Sequence, residues 1–166
     1  MDKKKFDLQN EHLHKNDSNK NAVLSKIRRL LLSEDFAILC TKDEKAAYGS
    51  LVAFYISDDL KHLIFATPDY TNKYKLLNYC QQVSIVVDDR AKHQNKISNI
   101  SAITMNGQAT QVTGKDNIDN AKAKLLDKHG YLDELTASDS CVFFNVEIKR
   151  CLYVTHIQEV YEWVPD

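Results

Sequence analysis

Thr67, Thr71 and Lys73 fall together where an apolar run, 64–67, passes through a short turn into a helix-forming stretch. A helix start carries unpaired N–H groups and the positive end of the macrodipole, so a lysine there is locally unfavourable unless an anion sits in front of it. Two hydroxyls, an ammonium and the free N–H groups of a first turn make a donor set suited to a compact dianion, and phosphate is the most common one. The same residues also read as a plain N-cap and a solvated surface lysine. Glycine cradles for phosphate are missing, because the four glycines, at 49, 107, 114 and 130, form neither GxGxxG nor GxxxxGK[ST].

Other chemistries find little support. His62, His93, His129 and His156 are scattered over a turn, a loop, a helix end and a strand, and each reads as structural. Cys40, Cys80, Cys141 and Cys151 form no CxxC pair and have no histidine at ligand spacing, which fits reduced thiols in cytoplasm. His12 and His14 make an HxH pair in a polar tail, a pattern that arises readily by chance, so no metal is expected. Lysine plus arginine (22) nearly balance aspartate plus glutamate (23), so the broad basic footprint of a nucleic-acid module is absent and any anion site must be local. No apolar run approaches the roughly 18 to 20 residues of a membrane span, and the first residues lack a signal-peptide core. A soluble cytoplasmic protein without nucleic-acid or membrane partners is the expectation.

The elements that must position the anion site can be read from the periodicity. Residues 1–20 are polar and expected to be a disordered tail; 21–166 should form one domain. Asn21 can cap a first helix over 22–33, with Val23, Ile27, Leu30 and Leu31 as its apolar stripe. Strands follow at 36–41, 48–57 and 63–67, read as an antiparallel meander. A helix then carries Lys73, Tyr74, Leu77 and Cys80, and a strand follows at 83–87. After a polar loop at 90–99, a long strand over 100–112 places Ile103, Met105, Gly107 and Ala109 on one face, where the small residues would admit another backbone. A third helix runs from Asp116 to His129 with Gly130 as its stop. Two last strands are expected at 141–148 and 152–164. About seven strands and three helices without regular alternation favour a mainly β, α+β fold, an antiparallel barrel with peripheral helices.

The ordered segments 36–41, 48–54, 64–79, 83–90 and 105–109 resemble the pyridoxamine 5′-phosphate oxidase-like, FMN-binding split barrels, over about 30–163. The resemblance implies a homodimer with one FMN in each of two clefts between subunits. It implies that Thr71 and Lys73 hold the FMN phosphate, with Thr67 at the end of the preceding strand. Asn72 stands where relatives often have arginine, which implies one weaker contact. Gly49, Ser50, Leu51 and Val52 match the segment that lies along the flavin ring. Asp89 and Arg90 fall where a strand leaves the barrel near the cofactor, so Arg90 reads either as a phosphate or ring-edge contact or as half of a surface ion pair.

The implied function is that of an FMN-dependent oxidoreductase that exchanges electrons with a small-molecule donor or acceptor. The alternative is a non-catalytic flavin- or haem-binding protein on the same barrel, with His156 as the histidine to consider. The C-terminal Arg-x-His segment of true pyridoxamine phosphate oxidases has no counterpart in 153–161, so oxidation of vitamin B6 is not expected.

Overall fold

The computed structural model describes residues 20–93, 96–156 and 159–166; the polar tail and its two histidines lie outside them. Helix α1, Lys20–Ser33, opens the described chain, so Asn21 lies within its first turn rather than before it. Its stripe of Val23, Ile27, Leu30 and Leu31 is buried in the main core, as helical spacing demands. The strands are β1 (Phe36–Lys42), β2 (Ala47–Ala53), β3 (Tyr55–Ile56), β4 (His62–Pro68), β5 (Gln82–Asp88), β6 (Ala102–Gln111), β7 (Cys141–Thr155) and β8 (Glu159–Trp163). Helix α2 (Asn72–Tyr79) joins β4 to β5, while α3 (Lys115–Lys128) and α4 (Asp133–Ala137) lie between β6 and β7.

The eight described strands belong to one antiparallel sheet in the order β2-β1-β5-β6-β7-β4-β3, with β8 added on β7. The sheet curls into a half-barrel, a mainly β, α+β architecture. Alternate residues such as Leu39, Ile85, Met105, Phe65 and Val146 point inward and are almost wholly buried with α1. Phe65 stacks on Phe144 with ring centroids 5.4 Å apart. At about 1.5–3 kcal/mol per fully buried large apolar side chain, this interior dominates the favourable side of folding. A second cluster, Ile64, Ala121, Leu125 and Phe143, seals α3 against the outer face of β4 and β7.

Gly107 answers to a close backbone approach. A Cβ at that position would lie 2.5 Å from Glu147 O and 2.8 Å from Val146 Cγ1. The β6–β7 register also shifts between Asn106 and Gly107.

Three expectations about the elements are corrected. The stretch 36–67 is not a meander: β1 pairs with β2, but β4 lies on the far side of the sheet between β7 and β3. The chain leaves the first hairpin at Phe54, which is fully buried. Val52, Phe54 and Ile56 all alternate inward, so the period of two continues straight through the crossing. The two last strands are likewise regrouped. Residues 149–151 continue β7, because Lys149 and Arg150 occupy exposed positions of an unbroken strand and Arg150 Nε pairs with Glu162 Oε1 at 2.5 Å. The reversal comes after Thr155, where His156 adopts a φ of 48°. Finally, α3 ends with the His129 N–H donating to Leu125 O at 2.9 Å, and Gly130 opens a short 3-10 turn instead of adopting a left-handed cap.

Candidate functional site

β4 ends at Pro68, and a turn leads into α2. Thr71 is the N-cap, with φ −77° and ψ 157°, and its Oγ1 accepts from the Tyr74 N–H at 3.4 Å. The Thr71 hydroxyl donates to Pro68 O at 2.9 Å. Thr67, 1% exposed, has its Oγ1 3.0 Å from Thr71 Oγ1. With the Thr71 proton committed to Pro68, Thr67 is the donor of that pair. The N–H groups of Asn72 and Lys73 lie in the first turn, where no preceding helical carbonyl can receive them.

Lys73 is half-buried and, among the described residues, has no hydrogen-bond or ion-pair partner. Burial alone pulls its pKa below the ordinary lysine range. It lines a cavity of about 190 Å³ together with Thr67, Leu51 and Val52, so four of the expected residues meet there. Among the described residues the rest of the wall is Phe36, Ala53, Ala66, Pro68, Leu132 and Leu135, with no acidic side chain.

The other expected residues are placed differently. Thr71 stands one hydrogen bond behind Thr67, and Asn72 is exposed. Gly49 is exposed on β2, which is an edge strand, and the Ser50 hydroxyl donates to Leu39 O at 3.5 Å. Asp89 Oδ1 accepts from the Ser101 N–H at 2.8 Å, and its Oδ2 lies 3.5 Å from His93 Nε2. Arg90, exposed, pairs with Asp88 at 3.1 Å. Neither Asp89 nor Arg90 lines the cavity. The β1–β5 register, Ile38 opposite Val86, does put this end of β5 on the same rim as Phe36.

Phe36, Leu132 and Leu135 are wall residues that the sequence reading passed over. Leu132 and Leu135 are spaced by three, with Asp133 and Glu134 in a first turn, and that pattern was the available signal for α4. A larger groove, about 670 Å³, lies between α3 and the β3–β4 turn, lined by Tyr55, His62, Lys124 and Asn145 among others. It holds none of the expected residues.

No family model matches the sequence, and no curated protein does. Solved structures match it well in three dimensions. A Clostridium acetobutylicum protein related to general stress protein 26 of B. subtilis, of the pyridoxinephosphate oxidase family, superposes with a TM-score of 0.69 at 12% identity, over 86% of this chain and 94% of that one. The fold is the pyridoxamine 5′-phosphate oxidase-like split barrel. An FAD-binding protein from Mesorhizobium loti shares it (TM-score 0.62, 17% identity, 78% of this chain and 91% of that one). So does a haem-binding protein from Mycobacterium smegmatis (TM-score 0.73, 15% identity, 83% of this chain), of whose length the present split barrel spans 56%.

Proposed function

We propose that this split barrel is a flavoprotein that holds FMN by its phosphate at Thr67, Thr71 and Lys73 and acts as an oxidoreductase. The observation that carries the reading is Lys73: a half-buried cation that has no partner among the described residues, on a cavity whose described wall has no acid and includes a buried threonine hydroxyl. An unpaired, partly desolvated ammonium is a cost in the free protein, and a bound dianion would offset it. The Lys73 ammonium and the first-turn N–H groups of Asn72 and Lys73 are the donors at hand for a phosphate, and the Thr71 and Thr67 hydroxyls, which in the free protein donate to Pro68 O and to the Thr71 hydroxyl in turn, would have to rotate to join them. A bound flavin supplies two-electron chemistry at its N5, while the protein supplies position and electrostatics.

Gly49, Ser50, Leu51 and Val52 are the proposed ring contacts, with Asn72, Asp89 and Arg90 as further proposed contacts on the rim. A second copy of the chain is the proposed cover for this side. In support, Leu51 is 64% exposed, Phe36 and Tyr48 are exposed close by, and the outer edge of β2 pairs with no other described strand. A small-molecule donor or acceptor is the proposed partner in electron transfer. The absence, among the described residues, of a helix long and apolar enough to cross a membrane, and the four free thiols, support a cytoplasmic location.

The test is reconstitution of the full chain with FMN. The expected result is a protein-bound flavin spectrum with micromolar or tighter affinity, dimers by light scattering, and reduction of the bound flavin by NADH or NADPH with turnover on an added acceptor. A bound flavin inert to every donor would leave a binding protein instead. The haem reading is favoured by the Mycobacterium smegmatis neighbour. Parallel titrations with haemin and FMN discriminate, and tighter haemin binding that Lys73→Ala leaves untouched would overturn the flavin.

A further inference from the structure

Residues 130–137, the 3-10 turn Gly130–Leu132 followed by α4, supply Leu132 and Leu135 to the wall of the Lys73 cavity. The segment is pinned at its two ends. At one end His129, 1% exposed, has its Nε2 2.8 Å from Phe54 O; a carbonyl only accepts, so Nε2 carries the proton and donates. At the other end the Asp69 N–H donates to Ser140 O at 2.9 Å, tying the strap to the turn that precedes α2. Among the described residues, no hydrogen bond or ion pair runs from residues 130–139 to any residue outside 129–141.

Between the pins the strap is held by packing alone. Leu132 rests on the cluster of Ile64, Leu125 and Phe143, Thr136 is buried with its hydroxyl turned back to Asp133 O at 3.1 Å, and the Tyr131 ring is tilted against Phe36 at 6.4 Å. Apolar contact is non-directional, so a segment held this way can lift without breaking ladder hydrogen bonds. The strands on either side cannot: β4 and β7 are paired with each other along seven residues, from His62 opposite Glu147 to Pro68 opposite Cys141.

We propose that residues 130–137 are the gate of the Lys73 cavity, opening between the His129 and Ser140 pins to admit a phosphorylated ligand, with Leu135 setting the rate of passage. This rests on the anion-site reading of the same cavity. Gating of this kind appears in kinetics, because a gate residue alters association and dissociation together, whereas a wall contact alters dissociation alone.

Stopped-flow fluorescence of FMN binding to the full chain tests it. Leu135→Ala is expected to raise kon and koff by about tenfold each and to leave Kd within about threefold. A raised koff with an unchanged kon would make Leu135 a wall contact and overturn the gate. If Leu135→Ala does not fold, hydrogen exchange on the wild-type chain decides. Amides of 131–137 are expected to exchange faster than those of β4 and β7 in the free protein, and to slow when FMN is added. Exchange as slow as that of β4 in the free protein overturns the proposal. Should the wild-type chain bind no FMN, the flavin reading falls, and the free-protein exchange still judges the gate by itself.

Discussion

Lys73 and Lys128 are both half-buried, and burial pulls the pKa of each below the ordinary lysine range, yet the molecule treats them in opposite ways. Lys128 is fully used. Its Nζ donates to Glu34 O at 2.6 Å and to Leu31 O at 3.3 Å and lies 4.1 Å from the centre of the Phe54 ring, while Asp35 and Glu34 partly restore its pKa. Those carbonyls are orphans at the C-terminal end of α1, where a cation is favourable. Lys92 joins it there, donating to Ser33 O at 2.9 Å. Lys73 stands at the opposite kind of terminus, the start of α2, without any such partner among the described residues. A buried cation with its partners inside the chain is architecture; Lys73 is, in the function proposed, the place for an anion.

Exchanging the two lysines for neutral residues separates the roles. Lys128→Met removes two hydrogen bonds from a charged donor and a cation–π contact, and is expected to cost about 2–3 kcal/mol of unfolding free energy. Lys73→Met is expected to change it by less than about 0.5 kcal/mol. Chemical denaturation measures both, and equal losses would erase the contrast.

In binding, the ranking reverses. Lys73→Ala is expected to weaken FMN by about tenfold to thirtyfold, the scale of a charge-assisted hydrogen bond, and riboflavin by less than about threefold. Lys128→Met should leave the FMN to riboflavin ratio alone. Titration of both ligands into both variants shows whether the loss follows the phosphate.

Thr71→Ala probes the frame around Lys73. Loss of the cap is expected to lower stability by about 1 kcal/mol in a denaturant titration. A change below about 0.3 kcal/mol would show that α2 does not depend on this cap.

The smallest effect is in pH. In the free protein Lys73 gives up its proton below the ordinary lysine value of about 10.4, whereas a bound phosphate favours the ammonium and pulls the pKa back up. The preference for FMN over riboflavin should therefore be complete at neutral pH and shrink as pH rises through the free-protein value. Stability of the free chain moves the other way in that window. A base with a depressed folded pKa binds fewer protons than in the unfolded chain, so its burial cost is present below the folded pKa and is relieved above it. A selectivity ratio that stays flat past about 10.4 would remove Lys73 from the phosphate.

What could be read in advance was local. The α1 stripe, the Thr71 cap and the need for a small residue at Gly107 each follow from a handful of neighbouring residues. Phe54 could not be read, because a strand that changes partners in mid-run keeps its period of two. The length of β7 was hidden by Lys149 and Arg150, whose charges resemble a turn until β8 brings Glu162, opposite Leu152, within reach of Arg150. The cavity wall was illegible for a related reason. Leu51, Ala66 and Leu135 come from β2, β4 and α4, and β2 and β4 stand near opposite ends of the sheet order, so these residues meet only through the curl of the sheet and the placement of α4 on it.

β7 also sets a schedule. It is the only described strand that pairs with three others, β4, β6 and β8, and it arrives after residue 140. A chain cut before Cys141 leaves β4 with only the two-residue β3 beside it, so Thr67 has no neighbour across the ladder until Val142 is in place. During synthesis from the N-terminus, α1 and the strands β1, β2, β5 and β6 can already be assembled while the Lys73 cavity is still open. The cavity around Lys73 is then among the last parts of the molecule to be completed, and the ribosome must release β7, Cys141–Thr155, before it exists.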